Sequence, residues 1–115
     1  MSRLIHRVTM FKLPGSDQQA QLLAAYDTLA KEQNKDGKPY IAYLCAGLSN
    51  PEDVRHKGYT LVAHSKFRSF EDMKFYDEQC AAHAALKKTV RELSPEEPPL
   101  TVYFEGQPGL DETHD

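Results

Sequence analysis

The sequence is short of cysteine, has no basic surplus, and lacks long apolar runs and any glycine-rich loop. Each shortage removes a class of function. Cys45 and Cys80 are the only 2 cysteines in 115 residues. They could pair once at most, and in a chain with no export signal they read as reduced thiols. With 14 Lys and Arg against 17 Asp and Glu the formal charge is −3, and no clustered basic face is visible, so nucleic acid is not an expected partner. The opening MSRLIHRVTMFKLP carries charges throughout. It resembles neither a signal peptide nor a membrane span, so no membrane partner is expected and the expected compartment is cytoplasmic. There is no phosphate loop or dinucleotide fingerprint, and no His, Cys and carboxylate spacing recommends a metal. No cofactor or metal is expected.

What is present reads as one domain, residues 1–106, followed by a flexible acidic tail, 107–115, whose last five residues DETHD hold 3 acids. Residues 3–13 are rich in β-branched and aromatic types and end at Pro14-Gly15-Ser16, a strand followed by a turn. Ser16 and Gln19 have capping-box spacing, and Leu22, Leu23, Tyr26, Leu29 and Ala30 follow at helical intervals, predicting a helix over 16–34. Residues 39–49 and 58–67 are further strands, separated by a polar loop. Ser69 caps a second helical stretch that runs to Leu93, with a break near Cys80, and "SPEEPP" ends it. Residues 100–106 form a fourth strand. The order β-α-β-β-α-β predicts a ferredoxin-like α+β subunit: a four-stranded antiparallel sheet with its helices on one face.

Parity within the strands bears on partners. With helices on one side only, the other face of the sheet should be polar. Instead both faces carry apolar residues: Ile41, Tyr43 and Cys45 oppose Tyr40, Ala42 and Leu44, and Leu100, Val102 and Phe104 lie on one side of the last strand. A second copy of the chain, packed through this sheet face as a homodimer, is the expected cover. A monomer that tolerates the bare face is the alternative.

Three stretches, "IHRVTMFKL", "GYTLVAHSKFRSFEDMKFY" and "AAHAALKKTV", carry a resemblance to the stress-responsive dimeric α/β-barrel (Dabb) family that spans roughly residues 3–104. The resemblance implies a homodimer whose sheets form a shared barrel, with a pocket in each subunit between sheet and helices. Most members have no assigned activity, and a few are polyketide cyclases, olivetolic acid cyclase among them, that close a linear chain by a cofactor-free aldol reaction. The cyclase acid/base pair, a Tyr and a His, matches Tyr76 and His83, and a pocket His of the first strand matches His6. Two departures stand out. This chain has one more residue between the Tyr and the His, and Leu61 replaces a pocket His after Gly58-Tyr59-Thr60. His64 faces the opposite side of the sheet from Leu61.

Following the family, His6 with Leu4, Val8 and Met10, and Leu61 with Tyr59, Ala63 and Phe67, are assigned to the helix side. Met73, Tyr76, Cys80 and His83 form one helical stripe. The expected site is therefore a catalytic pair, His83 and Tyr76, in a pocket formed by His6, Tyr59, Leu61 and Met73, with a hydrophobic or aromatic small molecule as ligand. The imidazole would take a proton from an acidic carbon while the phenol donates to the developing oxyanion. Bland readings stand beside these: Tyr76 as a core tyrosine, His83 as a core or cap histidine bonded to backbone, and His6 bonded to a neighbouring carbonyl. His56 and His114 read as solvated. Cofactor-free cyclase or lyase chemistry is one functional expectation, and a non-enzymatic stress-response or ligand-binding homodimer is the alternative. A cofactor-free oxygenase of related barrel type is a third.

Overall fold

The computed structural model describes residues 3–110 of the chain. The strands β1 (Ile5–Phe11), β2 (Tyr43–Leu48), β3 (Leu61–Phe67) and β4 (Leu100–Glu105) form one antiparallel sheet in the order β2-β3-β1-β4. The helices are α1 (Ser16–Glu32), α2 (Phe70–Glu78) and α3 (Ala81–Leu93), with a 3-10 turn at Val54–His56. This is the ferredoxin-like arrangement, with three α-helices because the second helical stretch is broken at Gln79 and Cys80. Residues 107–110 close an exposed turn, Leu110 N–H donating to Gln107 O at 2.9 Å. The acidic end of the expected tail, residues 111–115, lies outside the described residues, as does His114.

Local chemistry accounts for the helix ends. The α1 cap falls one residue earlier than Ser16: Gly15 N–H donates to Gln18 Oε1 at 3.1 Å, while Gln19 reaches back to Leu13 O at 2.8 Å. A Cβ at position 15 would meet Gln18 Oε1 at 2.9 Å, so glycine lets that amide fold over the helix start. Ser69 caps α2 as expected, its Oγ accepting from Asp72 N–H at 3.1 Å. In place of a polar, solvated His56, the loop holds a half-buried ring whose Nδ1 accepts from Gly58 N–H at 2.8 Å.

The core lies between the helices and one face of the sheet. Phe11, Leu61, Ala63 and Phe67 of β1 and β3 are buried against Leu22, Tyr26 and Leu29 of α1, Met73 and Tyr76 of α2 and Leu86 of α3. Each fully buried large side chain contributes about 1.5–3 kcal/mol relative to exposure. The register places His6, Val8 and Met10 on the other face, beside Val62, His64 and Lys66 of β3 and Leu100, Val102 and Phe104 of β4. His6 is thus not on the helix side. Phe11 has to face the core, and strict alternation along β1 carries Thr9 and Arg7 inward and His6 outward. On the open face His6 Nδ1 lies 3.0 Å from His64 Nε2, and its ring stacks on Phe104 at 4.8 Å. Val102 and Phe104 are each half exposed there.

Candidate functional site

The break between α2 and α3 builds the site. In an unbroken helix Cys80 N–H would bond Tyr76 O. Instead Gln79 and Cys80 N–H both donate to Phe75 O, at 2.8 and 2.9 Å. The carbonyls of Tyr76 and Asp77 are left to other donors. His83 Nδ1–H takes the first at 2.8 Å and the Lys87 ammonium takes the second at 2.7 Å. The kink also folds the imidazole back over the phenol: the rings of Tyr76 and His83 stack with centroids 3.6 Å apart and planes 11° from parallel. The expected single helical stripe is therefore two short ones. The Tyr hydroxyl and the imidazole do not face each other across a gap; the rings lie one on the other.

A carbonyl can only accept, so His83 carries its proton on Nδ1 and presents Nε2 as a lone pair. Burial lowers its pKa to about 3, assisted by the charges of Arg7 and Lys87 and opposed by the bond to the Tyr76 carbonyl. The ring is neutral at physiological pH. Burial also raises the pKa of Tyr76 far above the usual phenol value, so its hydroxyl stays protonated.

Arg7 is the residue of this candidate site that the motifs did not single out. It projects from β1 to the helix side, only 13% exposed, and donates to Asp77 Oδ1 and Thr9 Oγ1, both at 2.9 Å. Its guanidinium carbon lies 5.1 Å from the Tyr76 ring centroid. Thr9 continues the network to Thr101 of β4 at 3.1 Å. The small neighbours in register, Ser65 beside Arg7 and Ala63 beside Thr9, leave room for this polar group inside the sheet–helix layer. A charged residue at an inward position of an otherwise apolar strand was the signal available, and it became visible once Phe11 rather than His6 set the inward parity.

Beside these groups is a cavity of about 320 Å³, walled by Arg7, Thr9 and Phe11 of β1, Tyr26 of α1, and His83, Leu86 and Val90 of α3. Lys87, Arg91, Pro99 and Thr101 complete it. It lies beside β4, all of whose residues are exposed. Of the site residues expected from sequence, His83 lines the cavity and Tyr76 lies buried beneath it. Leu61 and Met73 are filled core on the helix side and do not line the cavity. Tyr59 sits at the far end of β3 under the Lys12 ammonium, 4.9 Å away, and His6 lies across the sheet. Among the described residues no group of three or more His, Cys, Asp or Glu could hold a metal ion, and no helix is long and apolar enough to cross a membrane.

Comparison with known proteins agrees with this architecture. The model of the Stress responsive A/B Barrel Domain matches residues 5–96. A Fusaristatin A biosynthesis cluster protein of Gibberella zeae is 38% identical over 103 residues, which is 90% of this chain and 73% of that protein. The hydroxynitrile lyase of Passiflora edulis superposes with a TM-score of 0.73 at 15% identity, covering 93% of this chain and 96% of that one. A dimeric ferredoxin-like protein of unknown function from Thermobifida fusca gives 0.72 at 14% identity, covering 91% and 92%.

Proposed function

We propose that this chain, which belongs to the stress responsive A/B barrel domain family, is a homodimer whose subunits each bind a small molecule in the cavity beside α3 and promote cofactor-free acid/base chemistry there, of cyclase or lyase type. The observation that carries the reading is the tethered His83: its Nδ1–H is spent on the Tyr76 carbonyl, so Nε2 is the lone pair available at the cavity wall, which the Arg7 guanidinium also lines. The relative from a biosynthesis cluster and the lyase with the same fold support a small-molecule role.

In this mechanism an activated C–H, flanked by carbonyls, gives its proton to Nε2 while the C–H electron pair moves into an enolate. The imidazolium that forms is disfavoured by burial and by two nearby cations, and becomes favourable only when a negative charge develops beside it. The same cations stabilise that charge, so the site favours the ion pair over the empty charged state. The enolate then adds to a carbonyl within the same molecule or expels a leaving group, and the imidazolium returns the proton to the new oxyanion or to the departing group. General acid/base assistance of this kind is worth about 10²–10⁴-fold. In this scheme Tyr76 is a positioning residue: its ring supports the imidazole and its carbonyl sets the tautomer.

Deuterium wash-in at the α-carbon of an acetoacetyl thioester, followed by mass spectrometry, tests the proposal. The protein should accelerate exchange over buffer, and His83→Gln should remove the acceleration. The buried stack beneath His83 also fits the second reading, a binding dimer without turnover. Exchange no faster than buffer, with the thioester still shifting the His83 ring resonances, would establish that reading instead.

A further inference from the structure

The cavity is one-sided in charge. Arg7, Lys87 and Arg91 all reach its wall, and no Asp or Glu does. Arg7 is offset by Asp77. Lys87 is held by a neutral backbone carbonyl, which leaves its charge uncancelled, and Arg91 has no ion pair among the described residues. Along α3 these groups fall into two lanes. His83, Lys87 and Arg91 recur at four-residue intervals, and Leu86 and Val90 run beside them. The polar lane therefore passes from the tethered imidazole to the mouth, its Cα atoms about 6 and 12 Å beyond that of His83. Lys87 and Arg91, one turn apart and of like charge, repel each other. Across from them Phe11 and Pro99 supply apolar walls. Apolar walls beside two cations that no carboxylate of the described residues pairs with are the counterpart of an amphipathic anion.

We infer that the ligand is an amphipathic carboxylate: its carboxylate is clamped by Lys87 and Arg91 at the mouth, its apolar body lies along Leu86 and Val90, and its reactive carbon reaches His83. This rests on the proposal that the cavity is a ligand site, and adds the class of ligand and its direction of binding. An anion between Lys87 and Arg91 also relieves their repulsion, so binding should weaken as salt is raised.

Titration of the full chain with 4-phenylbutyrate and its neutral amide, read by NMR shifts of the Leu86 and Val90 methyls, tests the inference. The carboxylate is expected to bind at least tenfold tighter than the amide. Arg91→Gln, at an exposed position with no ion pair among the described residues, should erase most of that preference by weakening the acid far more than the amide. Lys87→Gln should act in the same direction. Equal affinities for acid and amide would overturn the inference while leaving the cavity a ligand site. Absence of any shift with either compound would remove both. Tighter binding of phenylpropyl phosphate than of the carboxylate, through the same two residues, would overturn the carboxylate assignment in favour of a phosphate ester.

Discussion

At the scale of the residue, the candidate site contains an imidazole held neutral. His83 is buried against Tyr76 and faces Arg7 and Lys87, with Asp77 Oδ1 4.0 Å from its Nδ1. Its pKa near 3 in the folded chain compares with about 6.5 in the unfolded one. Between those values the unfolded state binds a proton that the folded state does not. Stability therefore falls as the pH drops from about 6.5 toward 3, with a limiting slope of about 1.4 kcal/mol per pH unit for this group. Arg7→Met takes away a cation that holds the imidazole neutral, so the His83 pKa should rise toward its ordinary value and the acid-side loss should shrink. A ring-proton NMR titration reads this directly, and an unchanged pKa in the variant would show that Arg7 has no hold on His83. The pairing of Tyr76 with His83 was legible in the sequence, because both lie on the buried side of helical segments. Their stacking was not, because it depends on where the helix breaks.

At the scale of the element, the interruption between α2 and α3 matters most. Cys80 is buried and sits at the N-cap of α3, and the two N–H groups that converge on Phe75 O release the carbonyls that hold His83 and Lys87. The break near Cys80 was expected from sequence, and its consequence for the carbonyls required coordinates. The start of α2 was legible in full, since Ser69 has only one helix to cap. Ser69→Ala should cost about 1 kcal/mol by losing the bond to Asp72 N–H. Thermal or urea denaturation measures it, and a loss near zero would mean that water replaces the cap. The α1 cap lies one residue before the expected Ser16, because the side-chain bond that closes the helix start runs from Gly15 N–H to Gln18 Oε1, a cap that glycine offers no side chain to announce. Gln19 instead reaches back to Leu13 O.

At the scale of the whole molecule, the helices cover one face of the sheet and leave the other open. On that face Tyr43, Leu100, Val102 and Phe104 are each more than two-fifths exposed, around the His6–His64 pair. Specific dimers bury about 800 Å² per partner, and a four-stranded face of this composition is suited to that. We expect sedimentation to give twice the 13.0 kDa chain mass. Val102→Glu, which places a charge opposite Val8 at the middle of the face, should halve the mass and leave the circular dichroism unchanged. Wild-type chain sedimenting as a monomer at micromolar concentration would end the homodimer proposal.

By itself the sequence determined the order of elements, the ferredoxin-like topology, the apolar character of both sheet faces and the helical placement of Tyr76 and His83. These follow from periodicity, caps and turn residues, which act over a few positions. Tertiary structure alone decided which face of β1 points inward, and with it the exchange of His6 for Arg7 in the site. Alternation separates two sets of residues but does not say which set meets the helices. That choice belongs to the packing of Phe11 among Leu22, Tyr26 and Leu61, contacts that no local window of sequence contains.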